Sequence, residues 1–518
     1  MSEGRRGGRE ARKALRAAAP EADRRAVRSG LSGGAYKPLS ESALIDIYET
    51  AIHLLEEIGM GSPIPDFIRV VTEAGGTLGD DGRLRFPRRI VEGAIATAAK
   101  SFTWHGFDES LGMDLSDTKV HFGTAGAAVL MLDHETQRFR HSSTADLFDL
   151  SRLADTLDNL HFFVRPVVTR ELTDVRELDL NTAYATMMGT TKPTGTSFFK
   201  PEHVYEAVEM FDIALGGEGE FRRRPFMVAN NTFVVPPMRY AEESAECMVA
   251  QVRAGMPINL LSAGQAGATA PAALAGALAQ ALAECLSALT CVNLLSPGHP
   301  CVMGLWPFVS DLRTGAMSGG GPEEAVLGAA SAQLANWLGL PSGVAAGMAD
   351  SKVVDAQAGA EKALTITLAA QAGANLVYES AGMLASLLSA SLEALVVDND
   401  ILGAVNRTIR GVDIDRARLS ADVIADVTSG AGHFLGHPQT LAIMETEYLY
   451  PKVGDRQSPD DWIDAGATTA ADRAHRVVVD TLSSHRPRHV SGDADDEIRR
   501  RFPIRLDRSE IDRTSTRW

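Results

Sequence analysis

The chain has 518 residues, 45% of them hydrophobic and only 6% aromatic, with a formal net charge of −17. A chain this long and apolar can bury a large core, and an acidic surface excludes nucleic acid as its principal partner. Cys247, Cys285, Cys291 and Cys301 form no CxxC pair and no zinc-type array, so buried reduced thiols in a cytoplasmic protein are expected.

Residues 1–37 read as a basic arm through Arg5, Arg6, Arg9, Arg12 and Lys13, solvated or packed on a second subunit of a homo-oligomer. It lacks the apolar core of a secretory signal. Residues 38–117 form a helical region. Its first helix spans 40–59, capped by Ser40, with Leu44, Ile47, Ala51, Leu54 and Leu55 on one stripe. A helical pair follows over 63–100, turning at Gly75-Gly76. Residues 118–134 read as paired strands.

Strand-like runs then begin near 161, 194, 225, 257, 300, 342 and 374, at spacings of 31–43 residues. Helical patterns lie between them: Pro201–Leu215, Ala241–Arg253, Pro271–Leu289, Pro322–Leu338 and Val354–Ala372. The prolines fall where a first-turn proline is tolerated, and Glu202, Glu323 and Glu324 suit positive helix ends. Strand–helix alternation of this kind builds a parallel sheet. With one more strand, from 118–134 or from 394–398, the expectation is a TIM (β/α)8 barrel over 118–400. The competing fold is an open doubly wound sheet, but no GxGxxG follows any strand. Helices over 401–485 extend the barrel, and 486–518 reads as a polar, irregular tail. The apolar stretch Ala270–Leu295 carries Gln280, Glu284 and Asn293 and reads as a buried barrel helix, so no membrane span is expected.

Barrel enzymes place reactive groups at the C-terminal ends of strands. That rule selects Asn230, Asn231, Thr232 and Phe233, then Ser262, Gly264 and Gln265. Further along it selects Trp306, Phe308, Asp311 and Arg313, then Met348, Asp350, Ser351 and Lys352, and finally Tyr378 and Glu379. Aromatics, amides and carboxylates without a Ser–His–Asp set or HExxH suit a quaternary ammonium ion. Its methyl groups donate no conventional hydrogen bond, and aromatic faces hold it by cation–π attraction of about 0.5–2 kcal/mol per ring. Trp306, Phe308 and Tyr378 are the expected cage. Asp350 and Glu379 are the expected catalytic carboxylates, and Asn231, Phe233, Gln265, Arg313 and Met348 complete the substrate site. The glycine run at 319–321 lacks the Lys-Ser/Thr of a phosphate loop and reads as a flexible loop. His433 and His437 are separated from a regular helix by Gly432, Gly436 and Pro438, and no metal site is expected.

The segments RRGGREARKALRAAA, HSSTADLFDLSRLADTLDNL, GQAGATAPAALAGALAQALAE, GMADSKVVDAQAGAEKALT and FLGHPQTLAIMETEYLYPKVGDR resemble the trimethylamine methyltransferase (MttB) superfamily over most of the chain. The resemblance implies a TIM barrel that passes an amine methyl group to a Co(I) corrinoid on a separate small protein. Tetrahydrofolate is the usual final acceptor. Archaeal members carry pyrrolysine, in a region matching about 345–352 here. This chain has none and resembles the non-pyrrolysine branch acting on quaternary amines such as glycine betaine. A quaternary amine leaves as a neutral amine, so transfer needs desolvation and aim more than acid–base catalysis. Direct transfer from the amine to tetrahydrofolate, or a non-catalytic betaine-binding protein, would use the same barrel.

Overall fold

The computed structural model describes residue 25 and residues 27–512; the arm's Arg5, Arg6, Arg9, Arg12 and Lys13 lie outside these. Eight short runs become parallel strands: β1 (Lys119–Thr124), β2 (Phe162–Val164), β3 (Thr194–Thr196), β4 (Met227–Asn231), β5 (Ile258–Ser262), β6 (Cys301–Leu305), β7 (Ser342–Ala345) and β8 (Leu376–Tyr378). Each pairs with the next, and the ring closes where Leu376 and Val377 of β8 face His121 and Phe122 of β1. β1 pairs onward with β2, Gly123 opposite Phe162. The fold is therefore a closed (β/α)8 barrel, with no free edge as in a doubly wound sheet. The eighth strand comes from the 118–134 stretch, which is not the hairpin or strand pair expected: Leu130–Leu132 leaves the barrel and pairs with Phe139–His141 in a separate small sheet. The 394–398 run lies instead inside a helix whose cap, Ser391, accepts from the Ala394 amide.

One helix follows each strand: α1 (Thr144–Asp155), α2 (Val175–Gly189), α3 (Pro201–Leu215), α4 (Glu242–Ala254), α5 (Leu274–Leu295), α6 (Pro322–Trp337), α7 (Ala356–Gln371) and α8 (Leu392–Arg410). Pro201 and Pro322 occupy first-turn positions. Pro271 does not, because α5 starts three residues later, at Leu274. α5 is the one helix among the described residues long and apolar enough to cross a membrane, yet 89% of its apolar window is buried inside the protein. Its alanines let it lie between the outer face of the barrel and an N-terminal cap. That cap opens with helix Glu41–His53, where Ser40 accepts from the Ala43 amide; Leu54 and Leu55 continue in a π-helical turn, Leu54–Ile58. Helices Pro65–Glu73 and Arg88–Thr97 follow, joined by a short antiparallel ribbon rather than a plain turn.

α8 runs through residue 400, so the barrel's last helix extends past the boundary expected there. The stretch after 486 is not irregular. Helices Gly492–Arg501 and Arg508–Asp512 form, and Ile498, Phe502 and Leu506 are buried in the main core. The Tyr184 hydroxyl of α2 donates to Asp495 at 2.5 Å. The apolar stripe there is only a few residues wide, and its charged surroundings hide it in composition.

Strand alternation turns Phe162, Val164, Val228, Leu261, Val302, Ala345, Leu376 and Tyr378 into the barrel lumen. Glycine stands wherever a large neighbour needs the space. A Cβ on Gly123 would stand 2.3 Å from the Phe162 ring, and one on Gly343 would stand 2.8 Å from the Tyr378 ring. The lumen is thus filled, as in other barrels of this kind. Gly123→Ala should destabilise the fold by about 1–3 kcal/mol through overpacking. Phe162→Ala should cost about 3–5 kcal/mol, and the double variant less than the sum, measured as urea midpoints.

Candidate active site at the barrel mouth

Five rings touch in series through the barrel. Trp104, on the hairpin Thr103–Trp104 with Met113–Asp114, donates its indole N–H to the Phe226 carbonyl at the N-terminal end of β4, at 3.1 Å. Its ring centroid lies 5.2 Å from Phe162, which lies 5.0 Å from Tyr378. Tyr378 lies 5.4 Å from Trp306, and Trp306 6.2 Å from Phe308. Trp306 is fixed by an indole N–H bond to the Gly343 carbonyl at 3.1 Å. Trp306, Phe308, Tyr378 and Met348 thus share one cluster at the C-terminal mouth.

Carboxylates gather beside this column. Glu379 directly follows β8 with a left-handed backbone (φ 59°), which a side chain of its size adopts only where its surroundings enforce it. It is buried, and its Oε2 has no hydrogen-bond partner among the described residues. Burial pushes its pKa up to about 8. Glu324, in the first turn of α6, is also buried with a partnerless oxygen. Burial, then the negative charges of Glu379 and Asp350, raise its pKa well above the usual carboxylate range.

Asp350 is fully engaged. It accepts from Ser318 Oγ and the Gly319 amide, both at 2.9 Å, and from Ser386 Oγ at 2.7 Å. It ties together the loops after β6, β7 and β8, and Glu361 of α7 holds its own amide at 2.7 Å. The loop after β8 is held a second time by a buried ion pair, Lys362 of α7 with Asp398 of α8, which also takes the Gly382 amide at 2.7 Å.

Further buried polar atoms lack partners among the described residues: both side-chain atoms of Asn259, Asn230 Oδ1, Tyr378 Oη and Ser310 Oγ. Asn259 points into the lumen, since its Oδ1 would be 2.7 Å from a Cβ on Gly304. Each unsatisfied group costs about 1–3 kcal/mol, and several in one place mark a site for a polar ligand or water. Arg165 directly follows β2, which β1 alone separates from β8 in the ring. Its guanidinium donates to the Gly126 carbonyl at 3.1 Å, and burial lowers its pKa.

Other expected residues lie elsewhere. Asn231 is one position out of phase with the lumen and donates to Ser244 O and Gln251 Oε1 against α4. Phe233 faces outward with Tyr240 in the core beneath the N-terminal cap. Gln265 sits in a turn, its carbonyl accepting three amides and its backbone pairing with Phe308. Arg313 is exposed, paired with Asp311 at 2.7 Å, and lines a separate rim cavity of about 370 Å³. His437 caps helix Pro438–Glu447 by accepting from the Gln439 amide. Arg165, Asn259 and Glu324 were missed as site residues. A polar residue at a lumen-facing strand position, as in the run INLLS, is the signal that would have found Asn259.

The trimethylamine methyltransferase (MTTB) family model matches residues 5–508. The chain belongs to that family. It is a methyltransferase of the methylamine and betaine group. The chain is similar to trimethylamine methyltransferase MttB of Desulfitobacterium hafniense DCB-2, 28% identical over 88% of this chain and 90% of that one. It is similar also to the glycine betaine methyltransferase of Desulfitobacterium hafniense Y51, 29% identical over 89% and 96%. Among solved structures, the monomethylamine methyltransferase of Methanosarcina barkeri aligns over 95% of this chain and 92% of its own, with 11% identity and a TM-score of 0.47.

Glu379 gives a pH signature. Its carboxyl titrates at the ordinary 4.5 when unfolded and at about 8 when folded. Below 4.5 it is protonated in both states and has no effect. Between the two values the folded chain keeps a proton that the unfolded chain releases, so stability falls as pH rises, and the loss is complete above about 8. Glu379→Gln should flatten that slope between pH 5 and pH 9 in urea melts. Affinity for a cation that needs ionised Glu379 should run the other way, rising about tenfold per pH unit below 8.

Proposed function

We propose that the mouth binds a small betaine-type quaternary amine and passes one of its methyl groups to the corrinoid of a partner protein docked over the C-terminal face. The observation that carries this reading is the arrangement of charges around the aromatic column. Unpaired buried carboxylates lie on the side of β8 and α6, and Arg165 follows β2. A zwitterion has matching ends. Its ammonium fits the faces of Trp306, Tyr378 and Phe308 beside Glu379, and its carboxylate fits Arg165. Asn230 and Asn259 supply donors for the same end or for bound water.

The chain's own part in transfer is then positional. Rings and carboxylate strip water from the cation and hold one methyl outward, where the corrinoid supplies the attacking nucleophile. Glu379 ionises as the cation enters, because the positive charge repays its desolvation; at an effective dielectric of 20 the attraction at 4 Å is ~4 kcal/mol. The departing amine is neutral and needs no proton. Asp350 acts by holding the three loops. Four buried free thiols fit work in a reducing compartment, the cytoplasm.

The test is methyl transfer from glycine betaine, choline and trimethylamine to Co(I) cobalamin, with and without a corrinoid protein. Methyl-cobalt formation from glycine betaine supports the reading. Methyl-tetrahydrofolate formed without any corrinoid points to direct transfer, and binding without turnover overturns the enzymatic role. Trp306→Ala should weaken betaine binding by ~1 kcal/mol, about fivefold. Arg165→Met should weaken glycine betaine much more than choline, which has no carboxylate.

A further inference from the structure

A second cluster of ligand-type side chains stands apart from the barrel column. His134 lies in the turn of a hairpin, Leu130–Leu132 with Phe139–His141, that follows β1. Glu393 lies in the first turn of α8, and His475 on the C-terminal helix Ala470–Ser484. One donor atom from each of the three falls within 4.8 Å of the others. The two imidazoles lie face to face, centroids 4.3 Å apart at 12°. Glu393 is buried; its Oε1 lies 2.9 Å from His475 Nδ1 and its Oε2 accepts from Ser391 Oγ. No hydrogen bond to the His134 ring occurs among the described residues.

We propose that His134, Glu393 and His475 form a binding site for a divalent transition ion of the zinc class. The donor chemistry is two imidazoles and one carboxylate, which zinc takes with water in the fourth position. A tetrahedral ion holds its donors ~3.4 Å apart and lies in the plane of each ligating ring, so His134, nearly parallel to His475 in the stack, rotates off that face as the cluster closes. Asp133 and Asp472 lie near His134 and add negative potential, against which stand Arg140 near Asp133 and Arg476 near Asp472.

The site would join three segments far apart in sequence. The hairpin belongs to the small sheet that covers the barrel top, pairing Leu130 with Ser389. An ion here clamps that sheet to α8 and to the C-terminal helix. It takes no part in the barrel-mouth chemistry, so its test is independent of methyl transfer.

The experiment uses the full chain, stripped with a chelator and dialysed against Zn2+ or Co2+. The expected result is one metal per chain by elemental analysis, a Co2+ visible spectrum of nitrogen and oxygen ligation, and an unfolding temperature that rises with Zn2+ concentration. His134→Ala lies in a turn and should fold. It and His475→Ala should each weaken Zn2+ binding at least about tenfold and remove the thermal shift, while His437→Ala leaves both unchanged. Wild-type protein that retains no metal, or variants that both bind Zn2+ as tightly as the wild type, overturns the proposal and leaves a His–Glu ion pair with a stacked neighbour.

Discussion

Contact between glycine Cα atoms and aromatic rings in the lumen is the constraint on which the barrel depends. Gly123 admits the Phe162 ring, Gly343 admits Tyr378, and the rings then touch from Trp104 at one end to Phe308 at the other. Eight strands of three to six residues enclose too little space for large side chains on every wall. Small residues on β1, β6 and β7 are therefore as necessary as large ones on β2 and β8. The same column carries rigidity from the plugged end to the mouth, so Trp306 and Tyr378 are held fixed there.

That rigidity explains how the mouth can hold costly groups. Glu379 sits in a left-handed backbone with a partnerless oxygen, and Glu324 is buried with a partnerless oxygen of its own. Neither would be stable in a loose loop. Asp350 gathers three loops through its acceptor bonds, and the Lys362–Asp398 pair fixes the loop after β8. The destabilisation stored at the mouth is offset by packing elsewhere.

Outside the ring of helices, two additional layers complete the molecule. The N-terminal helices share a core with α5, whose uniform apolarity is a consequence of being enclosed on both sides. The C-terminal helices pack along α1, α2 and α8, and Arg152 of α1 shows how closely. It is buried, paired with Asp149, and donates to the Leu482 and His485 carbonyls at 2.8 and 2.9 Å. The cover is thus tied to the barrel by specific polar bonds as well as by apolar contact.

Sequence by itself determined the alternation of strand and helix, the barrel class, and the rim segments that carry Trp306, Phe308, Tyr378 and Glu379. These are local matters: period, spacing, proline and cap residues, and the rule that loops after strands hold the chemistry. Tertiary structure alone decided which residues of each segment face inward. Asn231 and Asn230 differ by one position, and the pleat sends the first side chain to α4, where its Nδ2 donates to Ser244 O and Gln251 Oε1. Arg165 and Glu324 read as ordinary charges until strand closure set one beside the mouth and buried the other. The cluster of His134, Glu393 and His475 has no sequence spacing to read, because its members meet only when the top sheet, α8 and the C-terminal helix are folded against one another.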